Sequence, residues 1–203
     1  MATKVFLIRH CQSVANAERR YNCSIEDDEG LSEKGLEQAA QVARFFSGML
    51  VGKVYSSPFL RTRQTSAAIA DACGSVVEEC DFLRELDCGH WNGRSEEEIM
   101  RDFPEVWRGW HYDPQNNPIP GGETLLEVQA RALPEFERIV KRNRDETVVV
   151  VTHYCVFNVL LCSLVSSLAN FRSFDTRNGT IAEIRMENVP RVEAYWNPTR
   201  GKD

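Results

Sequence analysis

Apolar and polar positions along the chain fall into short strand-length runs separated by longer helical stripes. Lys4 to Ile8 is an apolar run that predicts a buried strand, with Arg9 and His10 at its C-terminal end. Ser32 precedes a stripe in which Leu36, Ala39, Ala40, Val42, Ala43 and Phe46 recur at helical spacing, so a helix capped by Ser32 is expected to run to about Gly48. Lys53 to Ser56 reads as a second strand. Pro58 suits the first turn of the following helix, which carries Arg61, Gln64 and Thr65. Val76 to Cys80 reads as a further short strand.

The second half repeats the alternation. Ser95 followed three residues later by Glu98 is a capping signal for a helix over Ser95 to Asp102. Asp113 to Gly122 is dense in proline and glycine and must be a loop. Thr124 to Arg142 reads as a long helix, Thr147 to Val151 as the strongest strand of the chain, and Cys155 to Leu168 as an apolar helix. Thr180 to Ile184 and Arg191 to Trp196 form a hairpin or meander. Strands alternating with helices predict an α/β fold with a mostly parallel central sheet, and no repeat, low-complexity tract or linker divides residues 1–203. In such sheets ligands bind beyond the carboxyl ends of the strands. Arg9-His10, Ser56-Ser57 and Thr152-His153 all fall there.

Composition narrows the function. A chain of 203 residues, 42% of them hydrophobic, suits one domain with a full core. A net charge of −6 argues against a broad nucleic-acid surface, while a local arginine cluster still allows a small anionic substrate. The Val5–Ile8 run is too short for a signal peptide or a membrane span, and no other stretch is long enough either, so no membrane partner is expected. The seven scattered cysteines, none in a C-x-x-C pair, are expected to be reduced thiols of a cytoplasmic protein. The oligomeric state is not legible.

Two histidines, His10 and His153, end strong strand patterns, one directly beside an arginine. A ring held that rigidly can act as nucleophile or move protons. His90 and His111 lack such a setting and read as structural or surface residues. Phosphoryl transfer needs a nucleophile and positive charge around the equatorial oxygens, and the arginine fork binds phosphate bidentately. Arg9 and Arg61 fit that need. Glu85 sits among small and aromatic residues in LRELDCGHWNG, where a partly desolvated carboxyl suits an acid for the leaving oxygen.

These stretches resemble a known family. LIRHCQSVAN resembles the LIRHGxTxxN opening of the histidine phosphatase superfamily, the phosphoglycerate mutase-like proteins. YSSPFLRTRQTSAAIA is similar to its SSPLxRAxQTA helix, LRELDCGHWNG to LxExxxGxWEG, IPGGET to PGGES, and VVVVTHYCVFNVLL to VVSHGGVIRALL. Asn178-Gly179-Thr180 resembles the family's late Asn-x-Ser/Thr. The resemblance implies a three-layer α/β/α sandwich, a phosphohistidine at His10, phosphoryl binding by Arg9, Asn16, Arg61 and His153, and proton donation by Glu85. It implies no metal and no cofactor, and a small phosphorylated metabolite as substrate. Two positions depart from the pattern: Cys11 and Tyr154 each stand where the family has glycine. Tyr154 is placed with the phosphate site, and both side chains are expected either to crowd it or to shift its rim.

The short stretch from Glu85 to Pro120 resembles the family's small phosphatases more than its glycolytic mutases, which leaves mutase chemistry as the alternative. Other classes are weaker. Cys88 to Arg94 fits the C-x5-R loop of cysteine phosphatases, but the neighbouring Asp87 opposes a thiolate. A phosphate-binding regulator without turnover rests only on Cys11 and Tyr154. No two histidines have metal-ligand spacing. Arg19 to Asn22 and Trp107 to Pro118 are expected to select the leaving group.

Overall fold

The computed structural model describes residues 2–199. In chain order the elements are β1 (Thr3–Arg9), α1 (Val14–Ala17), α2 (Glu33–Phe46), β2 (Lys53–Ser56), α3 (Leu60–Cys73), β3 (Val77–Glu79), α4 (Glu96–Asp102), α5 (Pro104–Tyr112), α6 (Leu125–Arg142), β4 (Thr147–Thr152), α7 (Tyr154–Val165), β5 (Ile181–Met186) and β6 (Arg191–Trp196). The strands form one sheet in the order β3-β2-β4-β1-β5-β6. β1, β2, β3 and β4 pair in parallel, and β5 runs antiparallel to both β1 and β6.

The period of two in the central strands divides the core. Val5 and Leu7 of β1 join Val148 and Val150 of β4 under α6 and α7. Phe6 and Ile8 join Val149 and Val151 on the opposite face under α2 and α3. Both faces of β1 and β4 are therefore apolar, as a sheet covered on two sides requires. The result is the expected three-layer α/β/α arrangement with a mostly parallel sheet.

Several boundaries differ from the sequence reading, each for a physical reason. In α2 the buried stripe is Gly35, Ala39, Val42, Ala43 and Phe46, while Leu36 is 52% exposed. Gly35 takes the inward position because a Cβ there would lie 1.9 Å from the Gln12 carbonyl oxygen. Pro58 lies outside α3, one residue before the Phe59 cap. α7 begins at Tyr154 and ends at Val165. The sequence reading placed no element over α1 or α5; α5 starts on Pro104 at its first turn, buries Trp110, and packs Phe103, Val106 and Trp107 against the same core. No helix among the described residues is long and apolar enough to cross a membrane.

Topology fixes where a site can form. From β1 the chain crosses through α2, on one face, to β2; from β4 it continues into α7, on the other face. β1 and β4 are neighbours, so the crossover direction reverses between them, and a crevice opens at their carboxyl ends.

Candidate active site

The last registered pair of β1 and β4 is Arg9 with Thr152, so the next residue of each chain segment is a histidine. The His10 and His153 rings meet edge to face with centroids 5.1 Å apart. Beside them opens a cavity of about 460 Å³ lined by, among others, Arg9, His10, Asn16, Arg61, Glu85 and Tyr154. His153 does not line it; its ring is fully buried behind Arg61 and against Phe59.

The His10 tautomer follows from its neighbour. Nδ1 lies 2.7 Å from the Cys11 carbonyl oxygen, which can only accept, so Nδ1 carries the proton and Nε2 carries the lone pair. The His10 N–H donates to Thr152 O and the Asn178 amide donates to His10 O, so backbone contacts hold the ring from both sides. Burial first, and the charges of Arg61 and Arg9 second, push the His10 pKa well below the ordinary imidazole value, against the opposing hydrogen bond to Cys11. The ring is therefore neutral at neutral pH.

Arg61 enters from the first turn of α3. Its Nε donates to His153 Nδ1 (3.3 Å), its Nη2 donates to Asn22 O (3.1 Å), and its guanidinium covers the Phe59 ring at 4.3 Å. Nη1 is 3.1 Å from Asp28 Oδ1 in an ion pair that is almost wholly buried, yet its N–H groups miss the oxygen and make no hydrogen bond. The His153 Nε2–H donates to Ser57 Oγ at 2.7 Å. Burial, then Arg61, His10 and Arg9, hold His153 neutral. Arg9 stacks on Tyr154 at 5.1 Å and donates from Nη1 to Thr176 O, while its buried Nε has no partner among the described residues. Two guanidinium groups thus reach the cavity with N–H capacity unspent, an arrangement suited to a dianion.

Glu85 is held by backbone. Its carboxylate accepts from Leu86 N (2.9 Å) and from Cys155 N in the first turn of α7 (3.1 Å). The loop bearing it is fastened by Arg131, which donates to Phe82 O and Glu85 O and pairs with Glu123 at 2.7 Å. Glu123 also accepts from Asp87 N. The Pro-Gly-Gly-Glu stretch therefore buckles the Glu85 loop to α6. Gly89, at φ +46°, is needed where a Cβ would lie 2.4 Å from the Gly121 carbonyl carbon.

Asn16 caps α1 through Oδ1, which also accepts from the Asn178 amide at 2.8 Å. The sequence reading missed Asp28, which sits in an acidic run that looks like surface charge, and Arg131, whose helical setting carries no mark of chemistry. Arg172 was missed too. It lines the cavity mouth and donates to the Tyr154 hydroxyl (3.0 Å) and Trp110 O (3.0 Å).

The two departures from glycine resolve differently. Tyr154 forms a cavity wall between Arg9 and Arg172. Cys11 points away: its side chain is fully buried in the α2–α3 core, and burial pushes its thiol up to about 12. Its N–H donates to Thr65 Oγ1 (3.2 Å). Cys11→Gly is accordingly expected to change turnover by less than about tenfold, under about 1.4 kcal/mol of barrier, while lowering stability by about 2 kcal/mol through lost burial and added backbone freedom. Steady-state rates and thermal unfolding check both halves; a hundredfold gain in turnover would show a site crippled by the cysteine.

The C-x5-R alternative finds no support. The Cys88 thiol is buried and pushed up in pKa, and Arg94 pairs with Asp102 at 3.0 Å. His90 is exposed, and His111 stacks on Trp107 at 4.8 Å, away from the cavity. Among the described residues no group of His, Cys, Asp and Glu side chains is arranged to hold a metal ion.

A family model for the histidine phosphatase superfamily (branch 1) matches residues 5–199. Phosphoserine phosphatase 1 of Hydrogenobacter thermophilus is 36% identical over 197 residues, which are 97% of this chain and 92% of that protein. A probable phosphoglycerate mutase, GpmB, of Erwinia tasmaniensis is 30% identical over 95% of this chain and 89% of that one. Among solved structures, Bacillus stearothermophilus YhfR superposes with a TM-score of 0.90 at 26% identity, covering 98% of this chain and 100% of that chain.

Proposed function

The chain belongs to the histidine phosphatase superfamily, and from that premise we propose that it is a metal-independent phosphomonoesterase that hydrolyses a small phosphorylated metabolite through a phosphohistidine at His10. One observation carries the reading: the Cys11 carbonyl fixes the His10 proton on Nδ1, leaving a neutral Nε2 lone pair in a cavity walled by Arg9 and Arg61.

The steps follow from the groups present. Arg9, Arg61 and Asn16 hold the phosphoryl oxygens, with His153 behind Arg61 as the fourth member of that set. Nε2 of His10 attacks phosphorus, the P–N bond forms as the P–O bond breaks, and Glu85 gives its proton to the departing oxygen. Water then attacks the phosphohistidine with Glu85 as base, releasing inorganic phosphate and restoring His10. The arginines supply the charge that divalent ions supply in other phosphoryl-transfer enzymes.

Beyond the phosphoryl end the mouth is lined by Arg19, Arg172 and Glu96 with Tyr21 and Trp110. Arg19 adopts φ 54°, a left-handed conformation uncommon for a residue with a Cβ, and its side chain stands at this mouth. Mixed charge there suits a leaving group with both a carboxylate and an ammonium. With the relative named phosphoserine phosphatase 1, phosphoserine is the first substrate to test. The relative named as a probable mutase supports the second reading, phosphoryl exchange between positions of a phosphoglycerate.

A panel containing phosphoserine, 3-phosphoglycerate with trace 2,3-bisphosphoglycerate, sugar phosphates and nitrophenyl phosphate separates these. Inorganic phosphate is expected from phosphoserine at an unchanged rate after exhaustive chelation. Loss of activity restored by Mg²⁺ or Zn²⁺ would count against the mechanism. Isomerised phosphoglycerate appearing faster than free phosphate would make the mutase reading the better one.

A further inference from the structure

Two of the free cysteines meet at the cavity rim. Cys23, in the loop after α1, and Cys88, in the turn after Glu85, lie 65 residues apart in sequence with their sulfurs 2.9 Å apart. Cys23 is half-buried and borders both the catalytic cavity and a neighbouring cleft along Arg84, Asp87 and Gly89. Cys88 is buried beside it. The Cys23 sulfur is already held against the Cys88 turn: Cys88 N–H donates to Cys23 Sγ (3.1 Å), and Cys23 N–H donates to Asn92 Oδ1 (2.9 Å). Four of the other five cysteines are buried, and the fifth, Cys73, sits at the far end of α3.

We propose that Cys23 and Cys88 are a reversible dithiol–disulfide couple at the mouth of the catalytic cavity, oxidised by a hydroperoxide. The roles are unequal. The Cys88 thiol and then the Cys88 N–H, both directed at Cys23 sulfur, lower the Cys23 pKa against burial and Asp87, while the same contact raises that of Cys88. Cys23 thiolate attacks the peroxide O–O bond, expelling hydroxide or alkoxide and becoming a sulfenic acid. Cys88 sulfur then attacks Cys23 sulfur, and the hydroxide that leaves takes the Cys88 proton as water. Two thiols supply the two electrons that reduce the peroxide.

The bond reaches the chemistry through both loops. Asn22, next to Cys23, holds Arg61 through its carbonyl, and Glu85 precedes Cys88 by three residues. Covalent closure draws the sulfurs together by roughly 0.9 Å, toward the ordinary S–S length. It also removes the thiolate that Cys88 N–H was bonding. Displacements of about 1 Å cost catalysis up to about a hundredfold, so oxidised protein is expected to turn over at least about tenfold more slowly. This activity effect rests on the phosphatase reading; the bond itself does not.

Mass analysis and rates after stoichiometric hydrogen peroxide test the two parts separately. The expected result is a loss of two hydrogens mapped to a linked Cys23–Cys88 peptide, together with slowed turnover that a dithiol reductant restores. Cys88→Ser, or Cys88→Ala if serine at that buried site prevents folding, should accumulate a sulfenic acid at Cys23 that a 1,3-dione traps. Oxidation falling on Cys73 instead, absence of the linked peptide, or equal inactivation of the wild type and Cys23→Ser would overturn the proposal.

Discussion

His10→Ala is expected to abolish turnover, with a fall of more than about ten-thousandfold, or about 5 kcal/mol of barrier. Neither His153 nor Cys155, the nearest alternatives, can take its place. His153 is buried behind Arg61 with both ring nitrogens engaged. Cys155 is buried, with its thiol pushed well up by burial and by Glu85. Quenched wild-type protein should carry a phosphoryl group that is stable to alkali and labile to acid, as a phosphoramidate is, and the variant should carry none. Persistent labelling of the variant would sink the assignment. The same residue sets an expectation for pH. The folded His10 pKa lies below the ordinary value, so its nucleophilic neutral form persists as pH falls through 6.5. The acid limb of kcat/KM should accordingly lie below that of an ordinary histidine. The linkage runs the same way for stability: an unfolded chain binds protons at His10 and His153 that the folded one refuses, so stability is lost as pH drops below about 6.5.

The site was legible wherever local pattern and chemistry coincide. His10 and His153 could be found because each directly follows a run of buried strand residues, and parallel pairing of those runs sets them side by side. Glu85 could be named from its motif, whereas Glu123 lies in the IPGGET stretch with no role legible there: only the fold shows that Glu123 clamps Arg131, which in turn holds the loop of Glu85. Asp28 could not be read at all. A carboxylate in an acidic loop has no period, and its burial against Arg61 comes from how the loop folds over α3. The Cys23–Cys88 contact was hidden for the same reason, since pairing across 65 residues leaves no spacing signal.

Side-chain direction was the other blind spot. Cys11 and Tyr154 both follow strand-end histidines and looked equivalent in sequence. Cys11 turns inward, where α2 and α3 leave room for a small apolar group, whereas Tyr154 opens α7 and faces the cavity. The sequence reading placed no element over α5, although Phe103, Val106, Trp107 and Trp110 recur at helical spacing and pack against one face of the core, with only Trp110 fully buried.

Glu85→Gln is expected to slow phosphoserine hydrolysis by about a hundred- to ten-thousandfold while slowing nitrophenyl phosphate far less. An alkoxide leaving group is strongly basic and cannot depart without a proton; nitrophenolate is weakly basic and can. The glutamine keeps the shape and can still accept from Leu86 N and Cys155 N through its oxygen, so the loop fastened by Arg131 should stay in place. Substitution at Arg131 makes the contrast. Arg131→Ala would free the loop and misplace Glu85 for every substrate, and the same misplacement would affect the base that activates water. A selective loss in Glu85→Gln beside a broader loss in Arg131→Ala is the pattern of a proton donor held by a clamp. Equal losses on both substrates in Glu85→Gln would show that Glu85 serves only to brace the start of α7, and the proton would then have to come from water at the cavity mouth.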